Sequence, residues 1–152
     1  MAQGTVTSFE QWMVDLAEAL MDHETGTFYI ALVNSTSPPV KATAIPHWNG
    51  TGTTNLQANE VSPTTGNYTA DGHALVNPTV TLVANNAEID FDDKGVYSQN
   101  ASNPTDAFYA VIYNNLAPKH CVCFIELGGA FDMTTGDLTI TFGAPLMYLD
   151  NT

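Results

Sequence analysis

The densest group of chemically active side chains is acidic and lies at Glu88, Asp90, Asp92 and Asp93. On a β-strand, Glu88, Asp90 and Asp92 would share one face at steps of about 6.6–7 Å. Like charges at that spacing repel, and a hard cation such as calcium would relieve the repulsion. The segment lacks a glycine-punctuated loop that would bring the carboxylates to one point. A solvated acidic strand face is therefore the favoured interpretation, and no metal is expected.

The same carboxylates have the chemistry of a glycoside hydrolase, in which two carboxyl groups act as acid and base. Few of the side chains that usually bind a sugar are present, because the chain has two tryptophans, Trp12 and Trp48, and no arginine. The sequence also lacks the G-x-S-x-G, H-E-x-x-H and G-x-x-x-x-G-K-[ST] motifs. No catalytic residue and no cofactor are predicted, and the chain is not expected to be an enzyme.

Two cysteines, Cys121 and Cys123, are separated by one residue in an apolar stretch. On a regular strand they would share a face about 6.5–7 Å apart, too far for a disulfide, so two free buried thiols are predicted. A zinc site that included His120 would need two further ligands. The histidines are scattered beside turn or loop residues and are expected to be surface imidazoles: His23, His47, His73 and His120.

The charge balance restricts the classes of partner. Sixteen acidic side chains and three lysines give a formal net charge of −13, in a chain of 152 residues that fits one domain. So few basic side chains cannot neutralise a run of phosphates, which excludes nucleic-acid binding, and they argue against anionic membrane surfaces. The sequence contains no apolar run of membrane-spanning length, and residues 1–4 do not begin like a signal peptide.

Apolar residues near the N-terminus repeat at helical spacing and predict a helix over residues 8–22, with Ser8 as its N-cap. The apolar stripe consists of Phe9, Trp12, Met13, Leu16, Ala17, Leu20 and Met21. It is expected to pack on the core, with docking on a partner subunit as the alternative. The acidic residues of the opposite face have no basic partner nearby and are expected to be solvated: Glu10, Asp15, Glu18 and Asp22.

Residues 27–149 have the composition of β-structure. Turn clusters separate predicted strands at 27–33, 74–84, 87–92, 107–114, 120–127, 137–143 and 145–149. Two of these, 107–113 and 121–127, are apolar nearly throughout, as expected for central strands covered on both faces. The fold prediction is a single mainly β domain, an antiparallel β-sandwich or jelly-roll-like barrel with the N-terminal amphipathic helix packed on it. Residues 40–60 remain ambiguous.

One residue order in the β region is more specific than these patterns. Glu60-Val61 precedes Gly66-Asn67-Tyr68-Thr69-Ala70-Asp71-Gly72, and the order continues through 109–115, 124–128 and 136–142. It resembles that of a group of small virion structural proteins of tailed bacteriophages, often described as head decoration or cement proteins. The resemblance covers most of the chain, roughly residues 8–143.

The resemblance implies a non-enzymatic protein that is assembled in the host cytoplasm and located in the virion. Such a protein decorates the outer capsid surface, bridges neighbouring subunits of the major capsid protein and clusters with copies of itself, most often as a homotrimer. The charge agrees with an outer position, because packaged DNA would repel a chain of net charge −13.

Candidate interface residues follow from this interpretation. The N-terminal arm, residues 1–7, has no core pattern and is expected to be flexible until it orders on a neighbour, for example as an added strand. Trp48 lies in a flexible loop and Tyr68 in a turn-rich segment, while the segment 145–149 is either a last core strand or a subunit contact. The interface candidates are Met1, Gln3, Thr5, Thr7, Trp48, Tyr68, Leu146 and Tyr148.

Two other functions stay open. The chain could belong to the tail, connector or fibre base of the virion, and copy number per particle would separate this from capsid decoration. It could also be a carbohydrate-binding β-sandwich, with Trp48, Tyr68 or Tyr97 as stacking platforms.

Overall fold

The computed structural model describes residues 4–62, 66–92, 95–143 and 145–149. The fold is mainly β, with antiparallel sheets and one helix near the N-terminus, which confirms that part of the prediction. Its elements in chain order are β1 (Val6–Ser8), α1 (Glu10–Ala17), β2 (Phe28–Val33), β3 (Pro46–His47), β4 (Thr54–Asn55), a 3-10 turn (Leu56–Asn59), β5 (His73–Ala74), β6 (Thr79–Val83), β7 (Asn86–Asp90), β8 (Gly95–Tyr97), β9 (Ala107–Asn114), β10 (Cys121–Phe131), β11 (Leu138–Ile140) and β12 (Met147–Leu149).

The largest sheet has five strands in the order β1-β10-β9-β2-β5. Strands β9 and β10, predicted to be central, do lie inside it, and β9 pairs antiparallel with both β10 and β2. Smaller sheets have the orders β12-β7-β6 and β11-β8, and β3 pairs with β4 in parallel. The apolar runs of β9 and β10 form central strands because both of their faces are covered by side chains.

Two apolar clusters, made by alternate residues of the same strands, cover the two faces of the five-stranded sheet. The larger cluster contains Ile30 and Ile112 together with Ile89, Leu138 and Met147 from the smaller sheets. On the other face, the smaller cluster consists of Phe9, Ala31, Val33, Trp48, Leu56, Val111, Tyr113, Cys121 and Phe124. The smaller sheets therefore pack on one face, whereas Phe9, Trp48 and Leu56 pack on the other.

Both cysteines are free and buried, as predicted. The prediction that they share one face was wrong. Cys121 pairs with Tyr113 and Cys123 with Ile112, so the register shifts by one residue between them. This irregularity places Val122 and Cys123 in the larger cluster, while Cys121 belongs to the smaller one. A bulge breaks the strict alternation on which the prediction depended.

The helix is shorter than predicted, because α1 covers Glu10–Ala17 and has Phe9 at its N-cap. Ser8 does not cap it. Ser8 belongs to β1, where it pairs with Cys123, and its hydroxyl lies 3.5 Å from the sulfur of Met147. Pairing with β10 holds residues 6–8 extended, so the helix begins only after them. The end of the predicted arm is therefore an edge strand of the five-stranded sheet in the same chain, with Val6 opposite Ile125.

Candidate functional site

Two of the four acidic residues, Glu88 and Asp90, lie on β7, the middle strand of its three-stranded sheet, and Asp93 lies outside the described residues. Glu88 pairs with Tyr148 and Asp90 with Thr79, and both carboxylates are half-buried. Asp92 is exposed and accepts a hydrogen bond of 2.5 Å from the side chain of Asn77. In the described part of the chain, no group of three or more His, Cys, Asp or Glu side chains is arranged to hold a metal ion.

Trp48 is a core residue rather than the exposed interface residue that was predicted. Its side chain is fully buried and stacks on Tyr113, with ring centroids 5.0 Å apart and an angle of 11° between the planes. The indole Nε1 donates a hydrogen bond of 3.0 Å to Asp71 Oδ1. A large aromatic ring gains more from this burial than from display on a loop.

Tyr68 is buried as well, so its prediction as an interface residue was also wrong. Its hydroxyl donates to Glu60 Oε1 at 2.8 Å and accepts the backbone N–H of Leu32 at 3.0 Å. Burial raises the pKa of this phenol, and the nearby Glu60 carboxylate raises it further. The third aromatic residue considered as a sugar platform, Tyr97, is buried too. The aromatic basis of the carbohydrate-binding hypothesis is therefore absent from the surface.

The motif that carries the resemblance forms one hydrogen-bonded cluster, which we call the Glu60 network. Glu60 Oε1 accepts both the Tyr68 hydroxyl and the backbone N–H of Asp71, the latter at 2.7 Å. Asp71 Oδ1 accepts Trp48 Nε1 and, at 2.8 Å, Gln57 Nε2. Burial raises the pKa of Glu60, and the hydrogen bonds that it accepts from Tyr68 and Asp71 oppose the shift. The motif thus fastens residues 66–72 to the five-stranded sheet.

The other interface candidates are distributed differently. Thr5 is exposed, whereas Thr7 is half-buried and pairs with Phe124. Leu146 belongs to the larger cluster and keeps 6% of its surface exposed, so its role at an interface stays a prediction. Tyr148 is 60% exposed on β12. Met1 and Gln3 lie outside the described residues.

The prediction of surface histidines was wrong for His23, His47 and His120, which are all buried, while His73 is half-buried. His23 Nε2 accepts a 2.8 Å hydrogen bond from Trp12 Nε1, and its ring stacks on Phe28. Burial lowers the pKa of His23 to about 4. Each of these histidines stands beside a turn in the sequence, but contacts with distant residues decide its burial.

The prediction that the acidic face of the helix is solvated failed at Asp15. This side chain is fully buried, and its Oδ1 lies 2.9 Å from Nδ1 of His120. Such a pairing has no short-range signal, because the partner comes from the start of β10. The contact buries both the Asp15 carboxylate and the His120 imidazole, which were expected to be exposed to solvent.

Strand β6 exposes three apolar side chains, and the sequence patterns do not single them out. Leu82 is 80% exposed, Val83 45% and Val80 42%. Strand β6 is an edge strand, and its hairpin with β7 turns through Ala84 and Asn85, at φ 47° and 73°. We call residues 79–90 the β6–β7 hairpin. A strand pattern in the sequence does not tell an edge strand from a covered one, so this surface could not be predicted.

The chain matches no known protein family, no curated protein and no solved structure. Within the described ranges, no helix is both long enough and apolar enough to cross a membrane.

Proposed function

We propose that this chain is a non-enzymatic structural protein of a tailed-phage virion. It decorates the outer surface of the capsid, bridges neighbouring subunits of the major capsid protein and associates with copies of itself as a homotrimer. The observation that carries this proposal is the Glu60 network. Glu60, Tyr68 and Asp71 of the motif behind the resemblance form hydrogen bonds that stabilise the fold. This structural use of the motif favours a protein that acts by binding other proteins through its surface.

The exposed surface supports an interface role. The edge strand β6 presents valine and leucine side chains to solvent and carries no charge. Exposed apolar patches on soluble proteins commonly mark contacts with other proteins. On a capsid lattice many such contacts act together, so each one need not be strong. The net charge of −13 supports an outer position, away from packaged DNA.

The proposal includes a layered fold, an antiparallel β-sandwich or jelly-roll-like barrel. The larger cluster supports it, because side chains of the five-stranded sheet pack there against Ile89 and Met147 of one smaller sheet and Leu138 of the other. A sandwich of this kind is a rigid base from which loops and edges reach neighbouring subunits.

The test is the binding of the purified chain to expanded capsids that lack decoration, with copy number measured by quantitative mass spectrometry against the major capsid protein. Saturation near one copy per capsid subunit, or one trimer per three-fold position, is the expected result. About a dozen copies or fewer would place the chain at the tail or connector. No association with any virion particle would refute the proposal.

A further inference from the structure

A groove lined largely by apolar side chains opens between β1, β10 and β11, and residues 141–143 and 145–146 also line it. Its volume is about 480 Å³, and the side chains that form it include Val6, Ile125, Leu138, Ile140, Phe142 and Leu146. Among the described residues that line the groove, none carries a charge. Its size and apolar lining are those of a site that takes more than one buried side chain.

The β6–β7 hairpin exposes apolar side chains that could enter such a groove. Val80 pairs with Ile89 and Leu82 with Ala87, so Val80 and Leu82 share the face on which Ile89 is buried. This apolar face is covered at Ile89 and uncovered at Leu82, near the turn. Residues 75–86 contain no charged side chain.

The groove and the tip of the hairpin are separated within one chain. Leu146, which lines the groove, directly precedes Met147, and Met147 pairs with Ile89. Leu82, on β6, pairs with Ala87, which precedes Ile89 by two positions on β7 and lies closer to the turn of the hairpin. The two features therefore lie toward opposite ends of the three-stranded sheet. With Leu82 80% exposed, the hairpin does not fill the groove of its own chain.

We propose that the tip of the β6–β7 hairpin of one copy seats in the apolar groove of a second copy, with Leu82 as the side chain that enters it. The charge of the chain restricts the surfaces through which two copies can meet. Two copies with a net charge of −13 each repel one another wherever acidic side chains face each other. The hairpin tip and the groove both lack charged side chains and both expose apolar ones, so they let two copies meet without placing carboxylates in contact.

This contact joins two different surfaces, so it is heterologous and leaves a free groove and a free hairpin at its ends. Heterologous contacts close into rings when the rotation between copies permits it. The inference rests on the self-association that is part of the proposed function, and it names the surfaces that would form the trimer. It does not depend on the capsid.

The first experiment measures self-association of the full chain by sedimentation velocity over a concentration series, without capsids. We expect the wild type to associate and Leu82→Lys to weaken the association at least about tenfold, because the lysine would have to lose its hydration in an apolar groove. Leu116→Lys is the matched control, since Leu116 is also an exposed leucine, 57% accessible, but does not line the groove. A monomeric wild type, or equal effects of the two variants, would overturn the inference.

The second experiment tests which surfaces meet. Thr139 is exposed and lines the groove, so Thr139→Glu should weaken association when tested alone. A mixture of the Leu82→Lys and Thr139→Glu chains should form pairs again, because the unaltered hairpin of the Thr139→Glu chain can enter the unaltered groove of the Leu82→Lys chain. If two hairpins instead paired with each other about a two-fold axis, the mixture would not recover. That result, or saturable binding of a small apolar dye to a monomeric wild type, would contradict the proposed occupant.

Capsid binding is measured separately with the same variants, so the two proposals can fail independently. Association in solution without any binding to particles would refute the proposed function and leave this contact standing. Binding of monomers to capsids, with no effect of Leu82→Lys on association, would refute the contact alone.

Discussion

Asp15 and His120 form a buried contact that fastens α1 to the start of β10. Oδ1 of Asp15 lies 2.9 Å from Nδ1 of His120, and the Asp15 side chain has no exposure to solvent. Gln11 Nε2 donates a hydrogen bond of 3.0 Å to the same carboxylate oxygen, whereas Oδ2 has no hydrogen-bond partner among the residues described. The other ring nitrogen of His120 lies 2.9 Å from the carbonyl oxygen of Thr51. This contact therefore ties the short helix to the residue that directly precedes β10.

The two partners of this contact should not be equivalent. We expect His120→Leu to lower the free energy of unfolding by about 3–5 kcal/mol, because it leaves the Asp15 side chain buried without the imidazole that it contacts. Asp15→Leu should cost less, about 1–2 kcal/mol, since the imidazole of His120 keeps its hydrogen bond to Thr51. Urea unfolding at pH 7 measures both variants and the double variant. The double variant should be more stable than His120→Leu alone, and simple additivity of the two changes would contradict this account.

His23 should make the fold sensitive to acid. Its pKa in the folded state is lowered to about 4, mainly by burial, against an ordinary value of 6.5. The unfolded chain therefore binds more protons than the folded chain between these values. The stabilisation is complete above pH 6.5 and is lost as pH falls towards 4, with a total of about 3 kcal/mol.

The check is the free energy of unfolding of wild type and His23→Phe, measured at a series of pH values from 7 to 4. Phenylalanine can keep the stacking on Phe28, whose ring centroid is 4.8 Å from that of His23, but it does not titrate. The stability difference between the two chains should shift by about 3 kcal/mol across this range in favour of the variant at low pH. Parallel pH curves would show that His23 does not cause the acid sensitivity.

The central strands could be predicted from the sequence because local pattern and tertiary environment agree there. Residues 107–114 and 121–127 are apolar at nearly every position, and only a strand covered on both faces uses such a run. The helix end and the cysteine faces could not be predicted in the same way. Pairing of Ser8 with Cys123 competes with helix formation, and a bulge beside Cys123 breaks the alternation.

The candidate site was harder to predict, because burial of a polar side chain is decided by its partner. Trp48 stands in a sequence of glycine, asparagine and threonine that is typical of an exposed loop, yet its ring stacks on Tyr113 from β9. The sequence places Tyr68 in a turn-rich segment, but it does not identify Glu60 as the acceptor that holds the Tyr68 hydroxyl. Exposure of Leu82 depends on β6 being an edge strand, which is a property of sheet order.

The Glu60 network predicts different effects for two conservative substitutions. Tyr68→Phe removes the hydroxyl that donates to Glu60 and accepts the N–H of Leu32, so it should destabilise the fold by about 2 kcal/mol. Glu60→Gln should cost less, because an amide oxygen can accept the same two donors and the buried charge is gone. Thermal unfolding and urea titration measure both. If Glu60→Gln were the more damaging change, the negative charge itself would be needed, against the structural role argued here.

Gly72 gives the last prediction, since it combines a left-handed backbone with a close approach. Its φ is +75°, and a Cβ at this position would lie 2.1 Å from the carbonyl oxygen of Ile30, which is backbone and cannot turn aside. Gly128 is the matched control, because its φ of +82° is similar but a Cβ there would meet nothing within 4 Å. We expect Gly128→Ala to cost about 1 kcal/mol, the ordinary conformational penalty, and Gly72→Ala to cost at least about 3 kcal/mol or prevent folding. Equal losses in urea unfolding would mean that residues 69–72 can move away from β2 at little cost, and that the motif does not hold the sheet in the way described.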